Sequence, residues 1–166
     1  MAYKSLHQFI SVLLNADELF VIDEPVDINL EITEIVDRLS KSEKNNKAIL
    51  FKNTGTDFPV LINAMGSKKR MALALEISEL DELSANVNEV LSYFTHKPEG
   101  FIAKIGILPK LWRMKRWVPE KIAGKGACQQ EMFDVVDLHT LPILKCWPHD
   151  GGHFITLPCV HTVHPT

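Results

Sequence analysis

The last quarter of the chain concentrates side chains that could bind a metal. Thiolate sulfur and imidazole nitrogen are the ligands that zinc prefers in proteins. Two cysteines and four histidines fall within nineteen positions: Cys146, His149, His153, Cys159, His161 and His164. The spacing argues against a structural zinc site, because no close cysteine pair and no helical HxxxH is present, and His149 and His153 flank a Gly-Gly turn.

An extended conformation after this turn would also separate the candidate ligands. Side chains alternate between the two faces of a strand, so Cys159 and His161 would share one face and His164 would lie on the other. We therefore favour buried cysteines and turn-exposed histidines over zinc.

Two other segments could do chemistry, and each has a simpler interpretation. Residues 66–70, Gly-Ser-Lys-Lys-Arg, follow a predicted strand and open a predicted helix, where backbone amides can hold an anion. They lack the GxxxxGK[ST] arrangement, and an N-cap role already explains Ser67. Asp150 precedes Gly151-Gly152 and is interpreted as a turn former whose carboxylate bonds nearby backbone, rather than as a catalytic acid. No catalytic triad or carboxylate pair stands out.

Residues 97–126 form a basic segment. Eight lysines and arginines oppose Glu99 and Glu120, a net charge of +6, and Trp112 and Trp117 lie among them. Such a segment could bind nucleic acid or a membrane surface. Prolines 98, 109 and 119 divide it into short pieces, and charge asymmetry alone is weak support for a partner. We favour a solvated basic helical connector at residues 101–127.

Prolines and glycines define the elements that would position the last quarter of the chain. Pro142, Pro148 and Pro158 each fix φ and remove a donor, while Gly151 and Gly152 permit a tight turn. The segment is predicted to run as strand, turn and strand, with the second strand at residues 155–163.

The first hundred residues alternate between helical and strand patterns. Apolar residues recur at helical spacing after Ser5, over 32–39 and from Met71 onward. Short apolar runs at 19–22, 48–51 and 60–62 predict strands, the first broken by Pro25. This alternation predicts an α/β layer structure.

Composition is that of a folded globular chain. The 166 residues are 46% hydrophobic and 23% charged, with a net charge of −3 that favours no partner class. No apolar run approaches the roughly 18 residues of a membrane span, and no secretory signal is evident, so we expect a cytoplasmic protein. Three cysteines without an export signal suit reduced thiols.

Four segments together resemble one known family. Residues 141–158 read Leu-Pro-Ile-Leu-Lys-Cys-Trp-Pro-His-Asp-Gly-Gly-His-Phe-Ile-Thr-Leu-Pro, and Val160, Thr162, Pro165 and Thr166 continue the match. Residues 20–35, 58–63 and 66–75 also match in order and approximate spacing. The chain resembles the amino-terminal part of the UbiD-like carboxy-lyases, the 3-octaprenyl-4-hydroxybenzoate decarboxylase family. Residues 153 and 161 are histidines and depart from the family pattern.

This resemblance implies a non-oxidative decarboxylase of an aromatic or unsaturated carboxylic acid, with quinone biosynthesis as a candidate pathway. The implied cofactor is prenylated FMN, the electron sink when carbon dioxide leaves, with a divalent metal such as manganese and with potassium as a further candidate. A flavin prenyltransferase would supply the cofactor, and the full-length parent would be a homo-oligomer. Within this chain the resemblance assigns cofactor contacts only to Thr156 and Pro158. The catalytic and metal residues would follow Thr166, so the chain alone is expected to be inactive.

The predicted fold is an α/β amino-terminal domain at 1–100, the connector, and the first strands of a split β-barrel flavin-binding domain at 128–166. Those last residues are too few to close a barrel, so they should pack on the first domain, pair with another copy or lack order. The alternative to a decarboxylase fragment is a self-contained binding module that uses the basic segment or the Cys/His cluster.

Overall fold

A computed structural model of the chain describes residues 3–95, 112, 123–126 and 129–156. The residues group into two compact units. The first contains the described residues of 1–82 and 137–166, and the second contains those of 83–136. The domain boundaries at residues 100 and 127 stay a prediction.

Two amphipathic helices of the first unit form where periodicity predicts them. Helix α1 (Leu6–Asn15) begins at Ser5, whose hydroxyl accepts the Gln8 N–H at 3.3 Å, and it buries Phe9 and Leu13. Helix α2 (Glu31–Ser40) buries Ile32 completely. Ile35, Val36 and Leu39 of the same helix pack against the cluster that contains Ile32, which confirms the helical spacing predicted over residues 32–39.

A three-stranded mixed sheet packs between these two helices. Its strands are β1 (Leu19–Pro25), β2 (Ala48–Asn53) and β3 (Val60–Ile62), in the order β1-β2-β3. β1 and β2 are parallel and are connected through α2, and β2 and β3 are antiparallel. The predicted strands are confirmed, and the first unit is therefore an α/β structure.

The first strand is longer than predicted. Pro25 was expected to break it after Ile22, but pairing resumes at Pro25 with Asn53 after a register shift. The shift accommodates a residue that has no N–H, and the Val26 N–H then donates to the Asn53 carbonyl at 3.0 Å.

Residues of β2 divide the core between the two faces of the sheet. Ala48 and Leu50 contact a cluster with Phe9 and Leu13 of α1. Ile49 and Phe51 are fully buried in a second cluster, which contains Ile32 of α2. This alternation is the two-residue period of a strand, and it places α1 and α2 on opposite faces.

Two further helices follow the sheet. Helix α3 (Lys68–Leu75) begins at Ser67, whose hydroxyl accepts the Arg70 N–H at 3.2 Å, so the predicted N-cap is confirmed. Helix α4 spans Asp81–Thr95. No helix in the described part of the chain is both long enough and apolar enough to cross a membrane.

The predicted β-rich character after Cys128 is not met in residues 129–136. They contain no strand, and Met132, Phe133, Val135 and Val136 are each at least 80% exposed. A strand needs a hydrogen-bonding partner, and none of the described residues pairs with this stretch. Residues 137–156 contain a 3-10 helix at Leu138–Thr140, turns and one isolated bridge. The split β-barrel stays a prediction.

A buried arginine fastens α3 to the starts of both parallel strands. Arg70 is 0% exposed. Its Nη1 donates to Glu18 Oε2 at 3.0 Å and to the Asn46 carbonyl at 2.6 Å, and its Nη2 donates to Asn46 Oδ1 at 3.0 Å. Glu18 directly precedes β1, and Asn46 lies two residues before β2. The guanidinium therefore joins the starts of β1, β2 and α3.

Gly66 leaves room for this network. Asn63, with a left-handed φ of 57°, donates from Nδ2 to Asn46 Oδ1 and to the Lys47 carbonyl, each at 2.9 Å. A Cβ at residue 66 would lie 1.8 Å from Asn63 Oδ1 and 2.9 Å from Arg70 Nη2. Since both neighbours are held by hydrogen bonds, only glycine fits here.

We expect Gly66→Ala to lower the free energy of unfolding by about 2 kcal/mol or more, because the Asn63 carboxamide must leave its two acceptors. Denaturant titration measures the loss. Gly151→Ala is the control, since its Cβ would meet no atom within 4 Å, and it should change stability by less than about 0.5 kcal/mol. Equal losses in both variants would contradict the steric argument.

Stability should also depend on the ionisation of Glu18. Burial raises the pKa of this carboxyl, but hydrogen bonds and charge from Lys69 and Arg70 outweigh burial and hold its pKa below the ordinary 4.5. The ionised form therefore stabilises the fold above about pH 4.5, and this contribution is lost as pH falls through the lower folded-state pKa.

Glu18→Gln should be less stable than the unmodified chain at neutral pH by at least about 1.5 kcal/mol, the lower end for a hydrogen bond to a charged group. The gap should narrow on acidification below about pH 4.5, because the unmodified chain then also loses the charge. Unfolding free energies measured across pH check this, and a constant gap would refute it.

Candidate functional site

The segment Leu141–Thr156 reverses direction through a turn that Asp150 closes. The Asp150 Oδ2 accepts the Trp147 N–H at 2.8 Å, and the Asp150 N–H donates to the Trp147 carbonyl at 3.1 Å. A carboxylate bonded to backbone three residues earlier is a turn former, so this prediction is confirmed.

Two contacts hold the segments on either side of the turn together. The Phe154 N–H donates to the Leu144 carbonyl at 3.2 Å, and His153 Nδ1 contacts the Ile143 carbonyl oxygen. A carbonyl only accepts, so we assign the ring proton of neutral His153 to Nδ1, which leaves the lone pair on Nε2. The predicted chain reversal is present, although its flanks are not strands in the described residues.

Thr156, the predicted cofactor contact, lies exposed at the end of the described segment. It borders an open cleft of about 310 Å³. The other lining residues are Leu141, Pro142, Ile143, Leu144, Cys146, Phe154 and Ile155. The fold thus brings one hydroxyl beside apolar walls. Pro158 lies outside the described residues, and so does most of the second predicted strand.

The Cys/His cluster is only partly within the described residues. Cys146 is a half-buried free thiol, and His149 and His153 are exposed. Among the residues that the structure describes, no three His, Cys, Asp or Glu side chains are grouped to hold a metal. Cys159, His161 and His164 lie outside those residues, and the interpretation of the cluster stays a prediction.

Cationic side chains at the start of α3 serve the fold. Arg70 is directed at Glu18 and Asn46, and Lys69 Nζ forms a 2.8 Å ion pair with Glu18 Oε1. The observed contacts therefore support the interpretation of this turn as a helix start that Ser67 caps. Most of the basic segment 97–126 lies outside the described residues, so its role as a connector stays a prediction.

Sequence reasoning missed the attachment of residues 143–146 to the α/β unit. Leu144 packs against the cluster that contains Val26, Ile32, Ile49 and Phe51. The Leu30 N–H donates to the Lys145 carbonyl at 2.9 Å, and the Lys145 N–H donates to the Ile28 carbonyl at 3.1 Å. The short apolar run that ends at Leu144 is the sequence signal for this attachment, and it does not identify a partner more than a hundred residues away.

Comparison with known families identifies the chain. The family model of the 3-octaprenyl-4-hydroxybenzoate carboxy-lyase N-terminal domain matches residues 10–87. The model of the Rift-related domain of the same carboxy-lyase matches residues 120–166. The chain belongs to the UbiD-like carboxy-lyase family, as its motifs indicated.

Two relatives show how much of a longer protein the chain represents. An uncharacterized protein of Aquifex aeolicus is 40% identical over 165 residues, which is 98% of this chain and 33% of the relative. An uncharacterized protein of Archaeoglobus fulgidus is 37% identical over 166 residues, which is 99% of this chain and 33% of the relative. The chain thus spans about a third of the length of these relatives.

The turn at Asp150 gives a local test of the site. Asp150→Ala removes the acceptor for the Trp147 N–H, so amide exchange at Trp147 should accelerate several-fold with a stability loss of about 1 kcal/mol. Asp150→Asn keeps an acceptor oxygen and should restore most of the protection. If the Trp147 amide exchanged equally in all three proteins, the carboxylate would not be closing the turn.

Proposed function

We propose that a protein of the relatives' full length containing this chain is a non-oxidative decarboxylase of an aromatic or unsaturated carboxylic acid. The observation that carries this proposal is the pair of carboxy-lyase domain matches, at residues 10–87 and 120–166. Because the matched description names a prenylated 4-hydroxybenzoate, we further propose an aromatic substrate and a role in quinone biosynthesis.

The proposed cofactor is prenylated FMN, supplied by a flavin prenyltransferase and held with a divalent metal such as manganese. The described residues suit one edge of a flavin site, because the Thr156 hydroxyl borders an apolar cleft. At about 310 Å³ the cleft is at the small end of ligand pockets, near 300 Å³. None of the described residues that line the cleft is basic. The phosphate group of the proposed cofactor and its metal therefore need ligands from other residues.

The residues of this chain would have a limited role in the proposed reaction. When bound, prenylated FMN supplies the electron sink for loss of carbon dioxide. Thr156 would offer a hydrogen bond at the cofactor's edge, and the apolar walls formed by Ile143, Phe154 and Ile155 would exclude water there. Asp150 and His153 would hold the turn that presents Thr156. Proton transfer to the product carbon is assigned to groups outside this chain.

The proposal predicts activity only in the longer protein. Co-expressed with a flavin prenyltransferase and supplied with manganese, the full-length protein should release carbon dioxide from an aromatic or unsaturated acid. The 166-residue chain under the same conditions should release none, because a positioned proton donor and metal ligands are required for transition-state stabilisation. Turnover by the short chain would refute this division, and an inactive full-length protein with bound cofactor and a broad panel of acids would refute the proposed reaction.

The same full-length protein tests Thr156. Thr156→Val preserves shape and removes one hydroxyl, so cofactor retention should fall about fivefold, the equivalent of roughly 1 kcal/mol, while the unfolding midpoint barely changes. Thr140→Val, a change of the same kind outside the cleft, is the control. Cofactor retention at the parental level in Thr156→Val would remove Thr156 from the site.

A further inference from the structure

The loop that precedes α2 contains a strained turn. Leu30 has φ 67° and ψ −35°, and the Glu31 N–H donates to the Asn29 carbonyl across it at 2.8 Å. This is a γ-turn with positive φ at its centre, which is the rare and unfavourable form. A leucine there is disfavoured sterically by its Cβ, and nothing about helix initiation requires such a residue.

Several hydrogen bonds from neighbouring polar groups hold this loop in its conformation. The Asn29 N–H donates to Asp27 Oδ1 at 2.7 Å, and the Asp27 N–H donates to Glu31 Oε2 at 2.7 Å. The Ile32 N–H also donates to the Asp27 carbonyl at 3.3 Å. Backbone strain persists only where the surroundings impose it, and it concentrates at clamps and binding surfaces.

The strained turn has an identifiable binding partner in the chain. It presents the Ile28 carbonyl and the Leu30 N–H to the backbone of Lys145, at 3.1 and 2.9 Å, as an isolated parallel bridge centred on Asn29. Leu144 packs against the adjacent apolar cluster, which contains Ile32 and Phe51. Main-chain pairing and side-chain burial thus act on two consecutive residues, 144 and 145.

We propose that the loop Asp27–Glu31 and the adjoining cluster form an interaction surface through which the N-terminal domain holds residues 143–146 of the Rift-related domain. Leu144 is the anchor, the side chain that packs against the apolar cluster. The γ-turn at Leu30 is the receptor, the loop that hydrogen bonds to the backbone of Lys145. The attachment sets the position of the turn at 147–150 and of the chain leading to Thr156. It holds whether or not Thr156 contacts a cofactor, so it does not rest on the proposed function.

Local opening of this surface is measurable in the 166-residue chain by amide hydrogen exchange. The Leu30 and Lys145 amides report on the attachment, and the Ala48 amide, which donates to the Glu18 carbonyl at 2.9 Å, reports on the sheet. Leu144→Ala should accelerate exchange at Leu30 and Lys145 at least about tenfold more than at Ala48, because the anchor is lost while the sheet remains.

Leu61→Ala is the matched control, since Leu61 is a half-buried leucine that packs on the other cluster. It should accelerate exchange at Ala48 at least as much as at Lys145. If all three amides changed together in both variants, residues 143–146 would open only with the whole unit, and the proposed surface would be wrong. Unprotected Leu30 and Lys145 amides in the unmodified chain would also overturn the proposal.

Leu30→Gly provides a second test that does not depend on a destabilised variant. Glycine adopts positive φ without the Cβ penalty and keeps the N–H that Lys145 accepts. The substitution should favour the attached state, so exchange at Lys145 should slow about threefold or more relative to Ala48. Faster relative exchange at Lys145 would show that the γ-turn is not the receptor and would overturn the proposal.

Discussion

The buried charge of Arg70 is the interaction on which the α/β unit depends. A guanidinium with 0% exposure is strongly unfavourable unless it is paired and hydrogen bonded. Glu18 supplies the opposite charge, and Asn46 supplies two acceptor oxygens. Its Nε has no acceptor among the described residues, so the pairing is incomplete and the remaining bonds matter more. The starts of β1, β2 and α3 are therefore placed together by one side chain.

The hydrogen bonds that Arg70 requires also determine the conformation of the nearby backbone. Asn46 Oδ1 accepts from both Arg70 and Asn63, so the orientation of its carboxamide is fixed from two sides. Asn63 must take left-handed φ to reach it, and asparagine tolerates that conformation better than most residues. Gly66 then has to lack a Cβ. The turn from β3 to α3 is thus shaped by a buried charge.

Local patterns were sufficient for the helices and strands of residues 6–75 but not for these contacts. The helical spacing of Phe9 and Leu13, the cap at Ser5 and the apolar run of β2 each depend on nearby residues, and periodicity reveals them. Arg70 follows two lysines and looks like another surface cation. Its burial depends on Glu18, which is 52 positions earlier, and no local pattern records that distance. The candidate site divides in the same way, since Asp150 acts within its own turn whereas Leu144 packs against the distant cluster that contains Ile32.

The attachment of residues 143–146 changes how the family's domain boundaries relate to folding. The family models assign Leu144 to the Rift-related domain and Ile32 to the N-terminal domain, yet both side chains pack in one cluster of one compact unit. Backbone pairing at Lys145 tolerates any side chain that keeps the geometry, whereas the anchor must be apolar and must fit against the cluster that contains Phe51. The γ-turn at Leu30 favours binding of residues 144 and 145, because the Leu30 N–H and the Ile28 carbonyl are already aligned and little further ordering is needed. The N-terminal domain therefore holds a segment that the family models assign to the next domain.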